Sequence, residues 1–332
     1  MSWCRYYMGA AHEQFPPREL LHQAVEAERA GFDGVARSDH FQPWWVPGES
    51  GRAWVWLGAA AQATGRLELG TGVTAPVHRD HPALVAQAFA TLEAMCPGRA
   101  FLGVGSGESL NESPLGMDWP EPDEQLARTE EALEMIDRLF AGERLDGAGR
   151  FFRAKGAVLH TRPRRRPPIY VSAFRPEAAQ VAGCLGDGLW TMADPDTAPQ
   201  LIDAYRGAAD DAGREAGEIL LQLGVSWAAD DESALEGARV WKATLVPDDS
   251  TDDWHDPAAM QRRAAEEVSD DELRRAFIIS ADPEEHADRV REAERLGATI
   301  MVLMNVSGRD PGGTIRTYGE RVLPALRGAA VG

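Results

Sequence analysis

The chain has 332 residues, a length that suits two ordinary domains or one (β/α)8 barrel of about 250 residues with insertions. Apolar residues make up 44% and charged residues 26%, enough to bury a core and too apolar for a disordered chain. Against 53 acidic residues stand 34 basic ones, and a net charge of −19 excludes nucleic acid and anionic membrane as main partners, since both need a basic face.

In chain order, strand-like runs appear at Cys4–Ala10, Gly34–Arg37, Leu67–Thr71, Ala100–Val104, Ile169–Ala173, Leu189–Ala193, Leu220–Trp227 and Thr299–Asn305. Amphipathic helical stretches lie between them at Pro17–Ala30, Pro82–Met95, Glu121–Phe140, Asp196–Ala212 and Pro283–Leu296. Near-continuous apolar strands alternating with helices predict a parallel sheet covered by helices. Eight of them predict an α/β fold, a (β/α)8 TIM barrel. A doubly wound sheet is the alternative, but the first strand runs into Gly9-Ala10-Ala11-His12-Glu13 with no GxGxxG loop.

Residues 1–332 read as a single barrel domain with insertion segments 105–168, after the fourth strand, and 228–298, after the seventh. The first holds a helix and a hairpin around Asp146-Gly147-Ala148-Gly149; the second holds helices and an extended piece, Phe277–Ser280. Such excursions in a barrel form a lid or a substrate wall. The arginines at 162, 164, 165 and 166 read as a solvated connector. Cys4, Cys96 and Cys184 form no CxxC pair, which fits a reducing compartment. With no signal-peptide pattern and no apolar run of about 18 residues, a soluble cytoplasmic protein is expected.

Three strand ends bring chemistry to one rim: His12-Glu13-Gln14, Ser38-Asp39-His40-Phe41-Gln42-Pro43-Trp44, and Gly105-Ser106-Gly107-Glu108 followed by Asn111-Glu112. In a barrel this C-terminal mouth is where catalytic groups gather. The glycines read either as a tight turn or as backbone that admits a flat ligand. No metal site is expected. His78 and His81 have a chelating spacing, but they read as a turn before a helix start at Pro82.

These residues carry a resemblance. With Gln87-Ala88-Phe89-Ala90-Thr91-Leu92 and Phe101-Leu102-Gly103-Val104, the chain resembles the coenzyme F420-dependent glucose-6-phosphate dehydrogenase group of the bacterial-luciferase-like barrel family. The resemblance implies hydride transfer between an alcohol carbon and C5 of a deazaflavin, in a homodimer whose substrate is a small alcohol or sugar. His40 would be the base, a role that wants a near-neutral pKa, with Trp44 stabilising the imidazolium and Glu13 orienting it. A protonated Glu108 carboxyl, favoured by burial, would supply a proton to the cofactor. The cofactor would lie against Asp39, Gly72, Val73, Ala75, Ser106, Gly107 and Asn111, with a non-prolyl cis peptide at Gly72-Val73. Its phosphate would meet Phe174, Arg175, Glu177 and Ala178 after the fifth strand.

The substrate side departs from the group. Met192 lies in the sixth strand, which is followed by Asp194-Pro195 where the group has a lysine; Arg262 stands at a second lysine position; and Arg275 lies beside Ala276, where an arginine is usual. One matching cation is a poor clamp for a phosphate. An uncharged alcohol is therefore a candidate substrate beside sugars and sugar phosphates. The bulk at Phe174 leaves FMN as an alternative cofactor, in an FMN-dependent monooxygenase. A flavin-binding barrel without catalysis is a third reading.

Overall fold

The computed structural model describes residues 4–246 and 255–328. Eleven strands are present among them: β1 (Arg5–Ala10), β2 (Gly34–Arg37), β3 (Glu68–Thr71), β4 (Ala100–Val104), β5 (Leu145–Ala148), β6 (Arg153–Ala157), β7 (Ile169–Ser172), β8 (Gly188–Met192), β9 (Glu218–Trp227), β10 (Ile278–Ser280) and β11 (Ile300–Asn305). Eight of these pair in parallel in the order β1-β2-β3-β4-β7-β8-β9-β11 and close where β11 meets β1. This is the (β/α)8 barrel expected from the alternation. Six of the eight barrel strands begin or end a residue or two from the sequence reading, and β2 and β4 coincide with it. The largest shift is at β9, which starts at the polar Glu218 because that residue pairs with Gly188.

The α-helices are α1 (Pro17–Ala30), α2 (Ala53–Ala63), α3 (Pro82–Met95), α4 (Ser109–Glu112), α5 (Pro122–Phe140), α6 (Pro176–Leu185), α7 (Ala198–Asp211), α8 (Asp231–Ala238), α9 (Pro257–Glu267), α10 (Asp270–Ala276), α11 (Pro283–Glu294), α12 (Pro311–Thr317) and α13 (Leu323–Gly328). Proline opens most of them, where its fixed φ suits the first turn and its missing N–H costs nothing. Segment 105–168 contains α4, α5 and the antiparallel β5–β6 hairpin. Segment 228–298 contains α8 to α11 and β10, which adds in parallel to the end of β9. Residues 247–254 of that segment lie outside the described residues. Among the described residues no helix is long and apolar enough to cross a membrane.

Side chains alternate along the strands, and the core has two parts. In β1, Tyr6 and Met8 join the shell between strands and helices, while Tyr7 joins Phe101, Tyr170, Trp190, Leu220 and Val302 inside the barrel. Arg5 closes the N-terminal end, donating to Glu68 at 2.7 Å and Glu218 at 2.5 Å. The filled interior and charged floor leave the opposite, C-terminal mouth as the place where ligands can approach.

Candidate active site

Every barrel strand is parallel, so the residues after β1, β2, β3 and β4 share one rim. Just past β1, the buried Glu13 carboxylate sits between two imidazoles. Its Oε1 is 2.7 Å from His40 Nδ1 and its Oε2 is 3.1 Å from His12 Nδ1. Neither ring nitrogen is aligned for a hydrogen bond along these contacts. On the other side of its ring, His40 Nε2 lies 3.6 Å from Glu108 Oε2. Trp44 stands 6.1 Å from His40 between ring centroids, with the planes at 70°. Asn111, in α4, ties two loops together: its Oδ1 accepts from Phe41 N at 2.6 Å and its Nδ2 donates to Glu108 at 3.2 Å.

Beneath this layer Asp39 is fully committed to protein. It accepts from Ala53 N at 3.2 Å and from Thr74 Oγ1 at 3.0 Å. Arg79 donates to the Asp39 carbonyl, and its guanidinium lies 3.6 Å from the Asp39 carboxylate and 3.7 Å from Glu112. Ser38 Oγ donates to the Gly72 carbonyl at 2.8 Å, and the Gly72-Val73 bond is cis. A Cβ on Gly72 would fall 2.6 Å from Trp190, one on Gly105 would fall 2.6 Å from Val73, and Gly107 has φ +92. Glycine at these three places keeps side chains off the β3–β4 rim, so the residues present fit a flat ring system laid along it.

The decisive likeness covers almost the whole chain: residues 4–299 match the model of the luciferase-like monooxygenase family. The chain belongs to the luciferase-like family. Similar curated relatives are the F420-dependent glucose-6-phosphate dehydrogenases of Microbacterium testaceum, 40% identical with 97% of each chain covered, and of Nakamurella multipartita, 41% identical with 97% and 96% covered. Among solved structures it is similar to an F420-dependent secondary alcohol dehydrogenase in complex with an F420–acetone adduct, at 34% identity and a TM-score of 0.93, covering 98% and 99% of the two chains.

In this luciferase-like barrel the electrostatics differ from what the sequence suggests. Burial alone would lower the His40 pKa, but Glu108 and then Glu13 outweigh it and raise it to about 9, well above the near-neutral base expected. Burial pushes Glu13 up, yet the imidazoles of His12 and His40 hold its carboxyl down at about 2. Glu108 is not buried as expected: its side chain is 42% exposed at the mouth. Burial raises the Glu112 carboxyl to about 7, with the Arg79 charge opposing.

Other expected residues are placed as follows. Gly107 adjoins both Ala75 and Trp119, and Ser106, its chain neighbour, is half-buried. Phe174 is 68% exposed after β7, Arg175 is exposed at the start of α6, Glu177 is exposed in its first turn and Ala178 packs on the core. Met192 closes β8, half-buried. Arg262 and Arg275 are exposed on α9 and α10, and neither side chain forms an ion pair among the described residues. His12 and Glu112 are quoted from sequence only as members of the strand-end stretches, without a role of their own, and Arg79 and Trp119 are not singled out there. His12, Glu13 and His40 also have ligating atoms within 4.8 Å of one another.

Proposed function

We propose that this chain is an F420-dependent dehydrogenase that interconverts an uncharged alcohol, of the secondary class, and its carbonyl compound. One observation carries the reading: a rim imidazole whose two nitrogens face two carboxylates, beside a glycine-lined ledge that fits a flat ring. When bound, F420 supplies a hydride acceptor at C5. The ledge at Gly72, Val73, Ala75, Ser106 and Gly107 would hold its ring, and Arg175 would meet its phosphate end.

His40 moves the proton. Its Nε2 faces the mouth, so in oxidation it takes the hydroxyl proton and in reduction it returns that proton to the carbonyl oxygen. Glu13, held on Nδ1, orients the ring and offsets its charge. Glu108, anchored by Asn111, occupies the Nε2 side until an alcohol oxygen takes its place. With a pKa of about 9, His40 rests as the imidazolium at neutral pH, the form that suits reduction of a carbonyl.

The choice of an uncharged substrate rests on the cations. Arg262 and Arg275 are exposed on separate helices, and two residues past β8 stands the acidic Asp194, which repels phosphate. The reading includes a cytoplasmic homodimer; Val55, Leu84 and Met95 expose apolar surface on the adjacent helices α2 and α3. Titration of the purified protein with F420 and with FMN tests the cofactor assignment. Tight binding of FMN without binding of F420 would overturn it.

A further inference from the structure

His12 is 0% exposed, yet neither of its ring nitrogens has an aligned hydrogen-bond partner. Buried polar atoms are nearly always paired, so an imidazole in this state asks for a physical reason. Its Nδ1 lies 3.1 Å from Glu13 Oε2, and its ring stands edge-on to His40 with centroids 5.2 Å apart. A bare lone pair on Nδ1 would repel the carboxylate at that distance. The proton therefore sits on Nδ1, and Nε2 is the bare acceptor. Burial pushes the His12 pKa down to about 3; Glu13 and Asp39 pull against this, while His40 and Arg37 act with it. The ring is a neutral donor at physiological pH.

We propose that His12 is a positioning residue for the base: its Nδ1–H, facing Glu13 Oε2 at 3.1 Å, holds the carboxylate so that Oε1 stays on His40 Nδ1. The two carboxylate oxygens are divided between the two imidazoles, one each. Without the His12 donor the carboxylate is free to turn about its last bond, and His40 loses the buried partner that offsets its desolvation. The charged and titratable groups facing His40 are Glu108, Glu13, Arg79 and His12. Glu108 is partly solvated and 3.6 Å away, and Arg79 opposes the imidazolium, so Glu13 is the partner whose position matters most. The catalytic meaning of this role rests on reading His40 as the base. The geometric claim does not need the cofactor.

The test is a nitrogen-15 NMR titration of the His40 imidazole in the cofactor-free protein, in wild type, His12→Leu and His12→Asn. Asparagine places an N–H where histidine carries Nδ1, whereas leucine fills the space without a donor. The His40 midpoint is expected near 9 in the wild type and the asparagine variant, and about one unit or more lower in the leucine variant. In the loaded enzyme, the pH midpoint of alcohol oxidation should move with it. An unchanged midpoint in His12→Leu, or an asparagine variant that falls as far as leucine, would overturn the proposal and leave His12 as a filler of space. Should leucine unfold the barrel, His12→Ala takes its place. Failure of F420 to bind would sink the dehydrogenase reading and leave this titration standing, so the two failures are distinguishable.

Discussion

His40 Nε2 stands 3.6 Å from Glu108 Oε2 on the open side of the rim, while its Nδ1 rests 2.7 Å from the buried Glu13. Oxidation of an alcohol needs the unprotonated ring, so kcat/KM should rise about tenfold per pH unit and level off near 9. Reduction of the carbonyl should be level below that midpoint and fall above it. Glu108→Gln removes the largest raising charge and should move both midpoints down. The pH profiles in both directions check this, and profiles that ignore pH from 6 to 10 count against it. The same contacts stabilise the fold: the His40 contribution is full below about 6.5 and is lost as pH rises through about 9.

Removing the base separates chemistry from binding. His40→Ala should lower turnover about 100- to 10,000-fold while F420 still binds, read by the change in cofactor fluorescence on titration. Turnover that survives the substitution would remove His40 as the base.

The layer under the site should be stabilising through charge. Arg79 is the cation shared by Asp39 and the fully buried Glu112. Arg79→Ala leaves these carboxylates without it and should cost about 3–5 kcal/mol, seen as a large fall in Tm. Glu112→Gln should cost far less, because burial already raises that carboxyl to about 7. A small effect at Arg79 and a large one at Glu112 would reverse this assignment.

Gly107 has φ +92, a conformation that side chains rarely adopt. Gly107→Ala should cost about 1–3 kcal/mol in strain and weaken F420 binding, because the strain is relieved by moving the ledge. Thermal melts and F420 titration measure the two effects separately. A variant that melts lower but binds F420 as tightly would place the ring elsewhere.

The barrel is legible in the sequence because parallel strands covered on both faces read as unbroken apolar runs; Ala100–Val104 is the same segment in both readings. Helix α2 escapes because Ala53–Ala63 is apolar nearly all round, with no polar face to mark the period. At the site, Glu13, His40, Glu108 and Asn111 are legible as polar residues placed at strand ends. Their state is not. Whether His40 is near neutral or raised depends on which carboxylates reach its two nitrogens, and these come from the ends of other strands. Burial of His12, exposure of Glu108 and the pairing of Arg79 with Glu112 are likewise set by packing between segments far apart in the chain.

The central claim is tested most directly by following F420 reduction with 2-propanol and with glucose 6-phosphate under identical conditions. The account predicts a kcat/KM for the uncharged alcohol at least tenfold above that for the sugar phosphate. A preference for glucose 6-phosphate would contradict it.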